Sequence, residues 1–317
     1  MKKLFFALLA LLLALVSCKR IPLYAPESDV YLKININVQV AIHTKADDTP
    51  GMPEQIRAIF YSPDTHYKVA EELLPPEGGF VHVPSGTYDL ILYSLGNDVT
   101  KIDGIDGRST LRAYTRESGA IMKISKGGAD DIRQQTVHYE PDHLYTATKE
   151  NVVIPVRSEY DQTIVIEVNM ETIVDTWTLE VRNIKGAEHI SSVLAYLTGL
   201  APAKYAWDYR LQITEPVAIS FPLGYNSEKG WLQTDFNIFG RYSIPSNPSY
   251  VELLGTDTAG NQYLWVFNVT DQFENPDNTD HLIIIDEEVE FPDNPGDVGG
   301  FVPEVDEWGT IIIPINV

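Results

Sequence analysis

Three clusters in this 317-residue chain carry residue types that could do chemistry. His138-Tyr139-Glu140-Pro141-Asp142-His143 gathers two imidazoles and two carboxylates, donors that suit a metal. No third partner and no helical spacing aligns them, so the segment reads as a polar turn between strands. Asp103-Gly104-Ile105-Asp106-Gly107 opens like a calcium loop but lacks the oxygen ligands such a loop needs after its glycine, which again favours a turn. Tyr205, Trp207 and Tyr209 alternate in AKYAWDYRL, and period two places all three on one sheet face. Exposed, they form an aromatic contact face for a sugar ring or a partner chain; buried, they are core, the commoner fate of strand aromatics. There is no Gly-x-Ser-x-Gly elbow, phosphate loop, dinucleotide fingerprint, His-Glu-x-x-His or Cys pair. Nothing indicates a catalytic residue, a metal, a cofactor or a small-molecule substrate, and the expectation is a protein that is not an enzyme.

The remaining reactive group is Cys18, the one cysteine of the chain. Met1-Lys2-Lys3 is a basic start, and Leu4 to Val16 is an unbroken apolar run. As a helix that run reaches only about 20 Å, too short for a hydrocarbon core of about 30 Å. This is the anatomy of a secretory signal, and no later segment is apolar enough for a second anchor. Leu15-Val16-Ser17-Cys18 resembles the lipobox of bacterial lipoproteins. The resemblance implies cleavage before Cys18 and acylation of its thiol and new amine, so that residues 1–17 are a signal peptide and the mature chain is anchored by covalent lipid. With that cysteine committed, stability must come from burial without disulfides.

Hydrophobic residues make up 44% of the chain, enough to build a core. The net charge is −22, and after Arg241 there is no Lys or Arg, against fifteen Asp or Glu. Such a surface repels nucleic acid and anionic head groups, and excludes nucleic-acid binding as a function.

The elements that must position these residues read as short strands. Residues 18–29 form a Pro-containing tether, and Val30 to His43 alternates apolar and polar residues over its whole length. Ile56–Tyr61 and Tyr67–Leu74 follow as strands. Pro84-Ser85-Gly86 predicts a hairpin turn between Phe80–Val83 and Thr87–Leu95. Asn97 to Ser118 reads as a long loop, before strands at Ala120–Ser125, Thr136–Tyr139 and His143–Thr148. Arg157 to Gln162 reads as a linker. After it come Thr163–Met170, Thr176–Ile184, Lys204–Ile213, Val217–Phe221, Trp231–Phe239, Ser249–Thr256, Gln262–Val269, His281–Ile285 and Thr310–Val317. Ile190–Leu200 is open between helix and strand. The expected fold is all-β: two tandem antiparallel β-sandwiches of transthyretin-like type, residues 30–156 and 163–317.

Several segments together resemble the fimbrillin superfamily of Bacteroidales. They are Val83-Pro84-Ser85-Gly86-Thr87-Tyr88-Asp89-Leu90, Leu197-Thr198-Gly199-Leu200-Ala201, Thr234-Asp235-Phe236-Asn237-Ile238-Phe239-Gly240, and the closing Gly299-Gly300-Phe301-Val302-Pro303-Glu304-Val305-Asp306-Glu307-Trp308. With the lipobox ahead of them, the chain is identified as a member of that superfamily, on the branch of fimbrial anchor and accessory lipoproteins. The resemblance implies an adhesive fibre assembled by β-strand addition between fimbrial subunits, in which shaft subunits lose their first strand to an Arg-specific or trypsin-like protease and anchor subunits keep theirs. Asp257-Thr258-Ala259 also resembles an O-glycosylation tripeptide of that order.

Between Pro22 and Ile56 there is no Arg, and Lys33 and Lys45 are the only basic residues. That favours a subunit that keeps its lipid and first strand at the outer membrane. Lys19 and Arg20 directly after Cys18, where acidic residues would mark surface export, leave the leaflet open. The competing reading is a surface glycan-binding lipoprotein that uses Tyr205, Trp207 and Tyr209.

Overall fold

The computed structural model describes residues 27–36, 52–125, 132–156, 163–243, 248–292, 304–305 and 311–312. Leu15 to Cys18, the second half of the expected first strand (37–43), the expected linker 157–162 and residues 293–303 lie outside them. The chain runs β1 (Glu27–Ile36), β2 (Gln55–Tyr61), β3 (Lys68–Leu74), β4 (Gly78–Pro84), β5 (Gly86–Leu95), β6 (Lys101–Asp103), β7 (Arg112–Tyr114), β8 (Glu117–Ser125), β9 (Ile132–His138) and β10 (Tyr145–Ile154). It continues as β11 (Ile164–Thr172), β12 (Asp175–Val181), β13 (Ile184–Lys185), β14 (Ile190–Leu200), β15 (Ala203–Tyr205), β16 (Val217–Asn226) and β17 (Trp231–Ile238). The remaining elements are β18 (Tyr250–Asp257), β19 (Gln262–Asn268), the short helix α1 (Thr270–Glu274), β20 (Leu282–Ile285), β21 (Val289–Glu290), β22 (Glu304–Val305) and β23 (Ile311–Ile312). The protein is all-β, as its alternating runs predict. Ile190–Leu200 settles as strand, in keeping with its β-branched residues.

The first sheet has the order β3-β2-β5-β10-β11-β1-β4. Its two edge strands, β3 and β4, lie close together across the short connection where Gly78 N donates to Pro75 O (2.9 Å). The sheet thus rolls over one core, which includes Val30, Leu32, Phe60, Leu90, Leu92 and Met170. The second body is a sandwich. One layer runs β19-β18-β14-β16-β9-β8-β23-β22, and β16 also pairs with β17, which leads to β12 and β20 in the facing layer. Between the layers Phe221 and Phe236 stack with ring centroids 4.4 Å apart, among Leu179, Leu197, Leu253 and Ile283.

Chain order and sheet membership do not coincide. β11, which follows residues 157–162, pairs with β1 and β10 of the first sheet. β8 and β9, from the first half of the chain, join the second body through β9 alongside β16. Division at 156/163 therefore separates strands that share hydrogen bonds. Period two tells which face of a strand is apolar but not which strand it pairs with. Most pairings are antiparallel, but β1–β11, β8–β23, β9–β16, β12–β20 and β13–β21 are parallel.

Two local expectations are corrected. β4 and β5 do not pair with each other: β4 bonds to β1, while β5 bonds to β2 and β10. Pro84-Ser85-Gly86 is thus a corner between different parts of the sheet, closed when the Tyr88 hydroxyl donates back to Pro84 O (2.9 Å). The Tyr88 hydroxyl would lie 2.9 Å from a Cβ at position 86, which is why glycine suits the corner. Within Asn97 to Ser118, β6 and β7 form a small sheet completed by β15, in the order β15-β7-β6.

Candidate functional site

β1 is an interior strand. It runs parallel to β11, with Val30 opposite Ile164 and Ile34 opposite Val168, and antiparallel to β4, with Val30 opposite Val81. Val30, Leu32 and Ile34 point into the core, each 5% exposed or less. Lys33, on the other face, meets Glu167 directly across the ladder (Nζ–Oε1 2.9 Å). Their hydrogen bond raises the Lys33 pKa and lowers that of Glu167, though a pair this exposed contributes little to stability. The peptide at Lys33 is held by neighbours on both sides, so the basic residue closest to a protease site is locked in a ladder. Removing β1 would leave a groove between β11 and β4 with two unpaired edges.

The two bodies meet at a junction that period-two reading missed, because many of its residues come from loops and short connections. The outer face of β2 and β5 supplies Ile59, Tyr61, Ile91 and Tyr93, against which Leu111, Ala113, Ala206 and Phe239 pack. Arg108 stands in this contact. It pairs with Asp89, whose side chain is 3% exposed, and lies 4.5 Å over the Trp207 ring. Asp89 also accepts from Asn151 N (3.1 Å).

The segment from His138 to His143 crosses between the bodies. Its carboxylates are committed to backbone: Glu140 Oε1 accepts from Asn237 N (2.9 Å), and Asp142 Oδ2 from Val99 N (2.7 Å) and Thr100 N (3.0 Å). His138 Nδ1 lies 3.0 Å from Thr115 O, and burial lowers its pKa. His143 Nδ1 lies 3.2 Å from Thr172 Oγ1. The four groups diverge, each to its own partner, and among the described residues no group of three or more His, Cys, Asp or Glu is placed to hold a metal. In the neighbouring Asp103–Gly107 segment, Asp103 accepts both Nε and Nη2 of Arg112 (2.8 and 2.9 Å).

The aromatic row does not form. The strand expected from Lys204 to Ile213 ends at Tyr205, and the chain turns, with Tyr209 N donating to Tyr205 O (3.0 Å) and Tyr209 at φ 58°. Trp207 packs at the junction under Arg108, Tyr205 lies against Arg210 (5.0 Å), and Tyr209 is 43% exposed. With the strand ended at Tyr205, period two no longer places the three rings on one face, and the glycan-binding alternative loses the strand platform it rested on. Asp257, in the expected glycosylation tripeptide, is 5% exposed. It accepts from Ala259 N, Asn261 N, Asn261 Nδ2 and the Tyr263 hydroxyl at 2.8–3.0 Å, bonds that lower its pKa.

A rolled sheet with an interior first strand, fused to a sandwich through shared strands and a packed junction, defines a class of two-body all-β proteins. Within it, this chain belongs to the family described as a domain of unknown function, DUF5119, whose model matches residues 29–220. The match spans the interleaved strands from β1 to β16. Over 228 residues the chain is 24% identical to the proposed fimbrium anchoring subunit Fim4B of Bacteroides ovatus, covering 71% of this chain and 61% of that protein. The chain thus spans about three fifths of the length of this curated relative. Among solved structures it is similar to a proposed adhesin from Bacteroides ovatus ATCC 8483, with a TM-score of 0.58 and 20% identity over 85% of this chain and 95% of that one. A second proposed adhesin from Bacteroides ovatus gives a TM-score of 0.50 at 13% identity, over 90% and 95% of the two chains. The chain shares the fold of these structures, and these similarities support the fimbrillin-like resemblance carried by the sequence.

Proposed function

We propose that this chain is a fimbrial anchor or accessory subunit, a structural and adhesive protein with no catalytic role. It is held at the cell outer membrane by lipid on Cys18 and retains its first strand. The observation that carries this reading is β1, paired on both sides in the first sheet with Val30, Leu32 and Ile34 in the core. Its one basic residue, Lys33, is within that ladder, and no Arg lies between Pro22 and Ile56. The relative named as a fimbrium anchoring subunit supports the same role. A subunit whose first groove is filled by its own strand cannot accept a donor strand there, and so ends a chain of subunits joined by strand addition.

The test is the N-terminus of the protein recovered from cell membranes. Mass spectrometry should find acylated Cys18 as the first residue, and Cys18→Ala should leave the membrane fraction. A mature chain beginning after Lys45 would make it a polymerising subunit and overturn the reading.

A further inference from the structure

Sheet edges are where this fold lies open to another chain, because an end strand carries a row of unpaired N–H and C=O groups. Among the described residues, the end strands of the two bodies are β3, β4, β19, β20 and β22. All but β19 are blunted. β3 carries Lys68, Glu71 and Glu72, and a bulge interrupts its pairing with β2. β4 opens on Gly78-Gly79, ends at Pro84 and lies close to β3. β22 is 2 residues long. β20 is capped by side chains that imitate a strand. The Gln272 amide donates to Ile284 O (2.8 Å) and accepts from Ile284 N (2.7 Å), and Asn278 does the same at Leu282 (2.8 and 3.1 Å).

β19 has none of these protections. Gln262-Tyr263-Leu264-Trp265-Val266-Phe267-Asn268 holds no charge, glycine or proline, and Leu264, Trp265, Val266 and Phe267 are each only partly buried. On one side β19 pairs with β18 along its whole length, without a bulge. Asp257 N donates to Asn261 O (3.0 Å) at one end of that ladder, and Val269 N to Ser249 O (3.0 Å) at the other. Tyr263, Trp265 and Phe267, in step with those two bonds, face β18 with their backbone groups. The N–H and C=O groups of Gln262, Leu264, Val266 and Asn268 therefore point away from the sheet.

The strand is complementary to itself. Its residues mirror about Trp265: aliphatic Leu264 and Val266, then aromatic Tyr263 and Phe267, then the amides Gln262 and Asn268. We propose that two copies of this chain associate through β19, paired antiparallel about a two-fold axis at Trp265. That axis sets Leu264 against Val266 and Gln262 against Asn268, so the outward backbone groups satisfy one another. It sets Tyr263 against Phe267, and Trp265 against itself, at the closer non-hydrogen-bonded sites, where aromatic pairs add to the ladder. Such an interface uses up both edges and closes at two subunits. Charge opposes it, since each copy carries −22, so the pair forms more readily as salt screens the repulsion.

The experiment is sedimentation equilibrium of the full chain over a concentration series at low and high salt. A monomer–dimer equilibrium should appear and should tighten as salt rises. Val266→Pro removes an N–H that takes no part in the ladder to β18, and should weaken association about tenfold or more. Leu264→Lys, which sets a charge beside the axis, should do the same, while Val69→Lys on the already charged β3 edge should change nothing. Far-ultraviolet circular dichroism of each variant checks that it folds. Trp265→Cys, combined with Cys18→Ala to remove the other thiol, should cross-link to its own copy on mild oxidation, since Cα atoms at a non-hydrogen-bonded site stand about 4.5 Å apart. A chain that stays monomeric throughout, a dimer indifferent to both β19 variants, a dimer weakened by salt, or one that Trp265→Cys fails to cross-link would each overturn the proposal. So would a monomer whose outward β19 amides resist hydrogen exchange, because the chain's own segment would then cover the edge.

Discussion

Arg108 joins the two bodies of this protein by lying 4.5 Å over the Trp207 ring while pairing with Asp89. Asp89 belongs to β5 of the first sheet, Arg108 to the connection after β6, and Trp207 to the turn after β15. One side chain thus ties three separate stretches of sequence. Arg108→Ala leaves the Asp89 carboxylate buried without its cation, which should cost about 3–5 kcal/mol. Trp207→Ala keeps the pair and should cost less than Arg108→Ala. Urea denaturation of both variants and the double variant checks the order, and a non-additive double variant shows that the two contacts act together.

Leu32 tests the first strand. It is fully buried in the rolled sheet, so Leu32→Ala should destabilise by about 2–5 kcal/mol. Lys33→Ala, one residue away on the exposed face, should leave the unfolding midpoint nearly unchanged. A matched pair of denaturation curves separates a buried row from its solvent-facing complement.

Tyr88→Phe removes the hydroxyl that closes the corner at Pro84 and keeps the ring, which meets Phe60 edge-on at 5.9 Å. The expected cost is about 1 kcal/mol, read as a lower unfolding midpoint with an unchanged denaturant slope.

Glu252 gives the pH dependence. It is 1% exposed on β18, opposite Tyr196, with Oε2 meeting no hydrogen-bond partner, and burial pushes its pKa up from 4.5 to about 7. A carboxyl whose folded pKa is raised adds stability that is full below its unfolded pKa and is lost as pH rises through the folded one. Stability from this group therefore falls between about pH 4.5 and pH 7, by about 3 kcal/mol for a rise of that size. Glu252→Gln should be the more stable protein at pH 8, and the advantage should vanish near pH 4.5. Thermal unfolding of both proteins across that range is the check.

Alternation in the sequence was a good guide to what each strand buries. Val30, Leu32 and Ile34, or Leu179 and Val181, lie on the apolar faces their spacing indicates. It was a poor guide to partners, because pairing is decided between residues far apart, as when Tyr31 meets Val165 and Val137 meets Ala218. Turn chemistry misled where one side chain redirected the chain, as Tyr88 does at Pro84. The AKYAWDYRL row failed for a related reason: a positive φ at Tyr209 breaks the extension that period two presupposes. The junction was invisible for a different cause, since Arg108 sits in a segment with no period and the alternation around Trp207 pointed to a strand face rather than to this contact.

The double pairing of β1 also has a mechanical meaning. Tension entering the chain at Glu27 and directed along the strand is resisted by the ladders to β11 and β4 side by side. Such a load must shear many hydrogen bonds at once, whereas an edge strand pulled sideways gives them up singly. Tension applied at the N-terminal end of β1 would thus meet the first sheet in its stiffest direction, along the strand that fills the gap between β11 and β4.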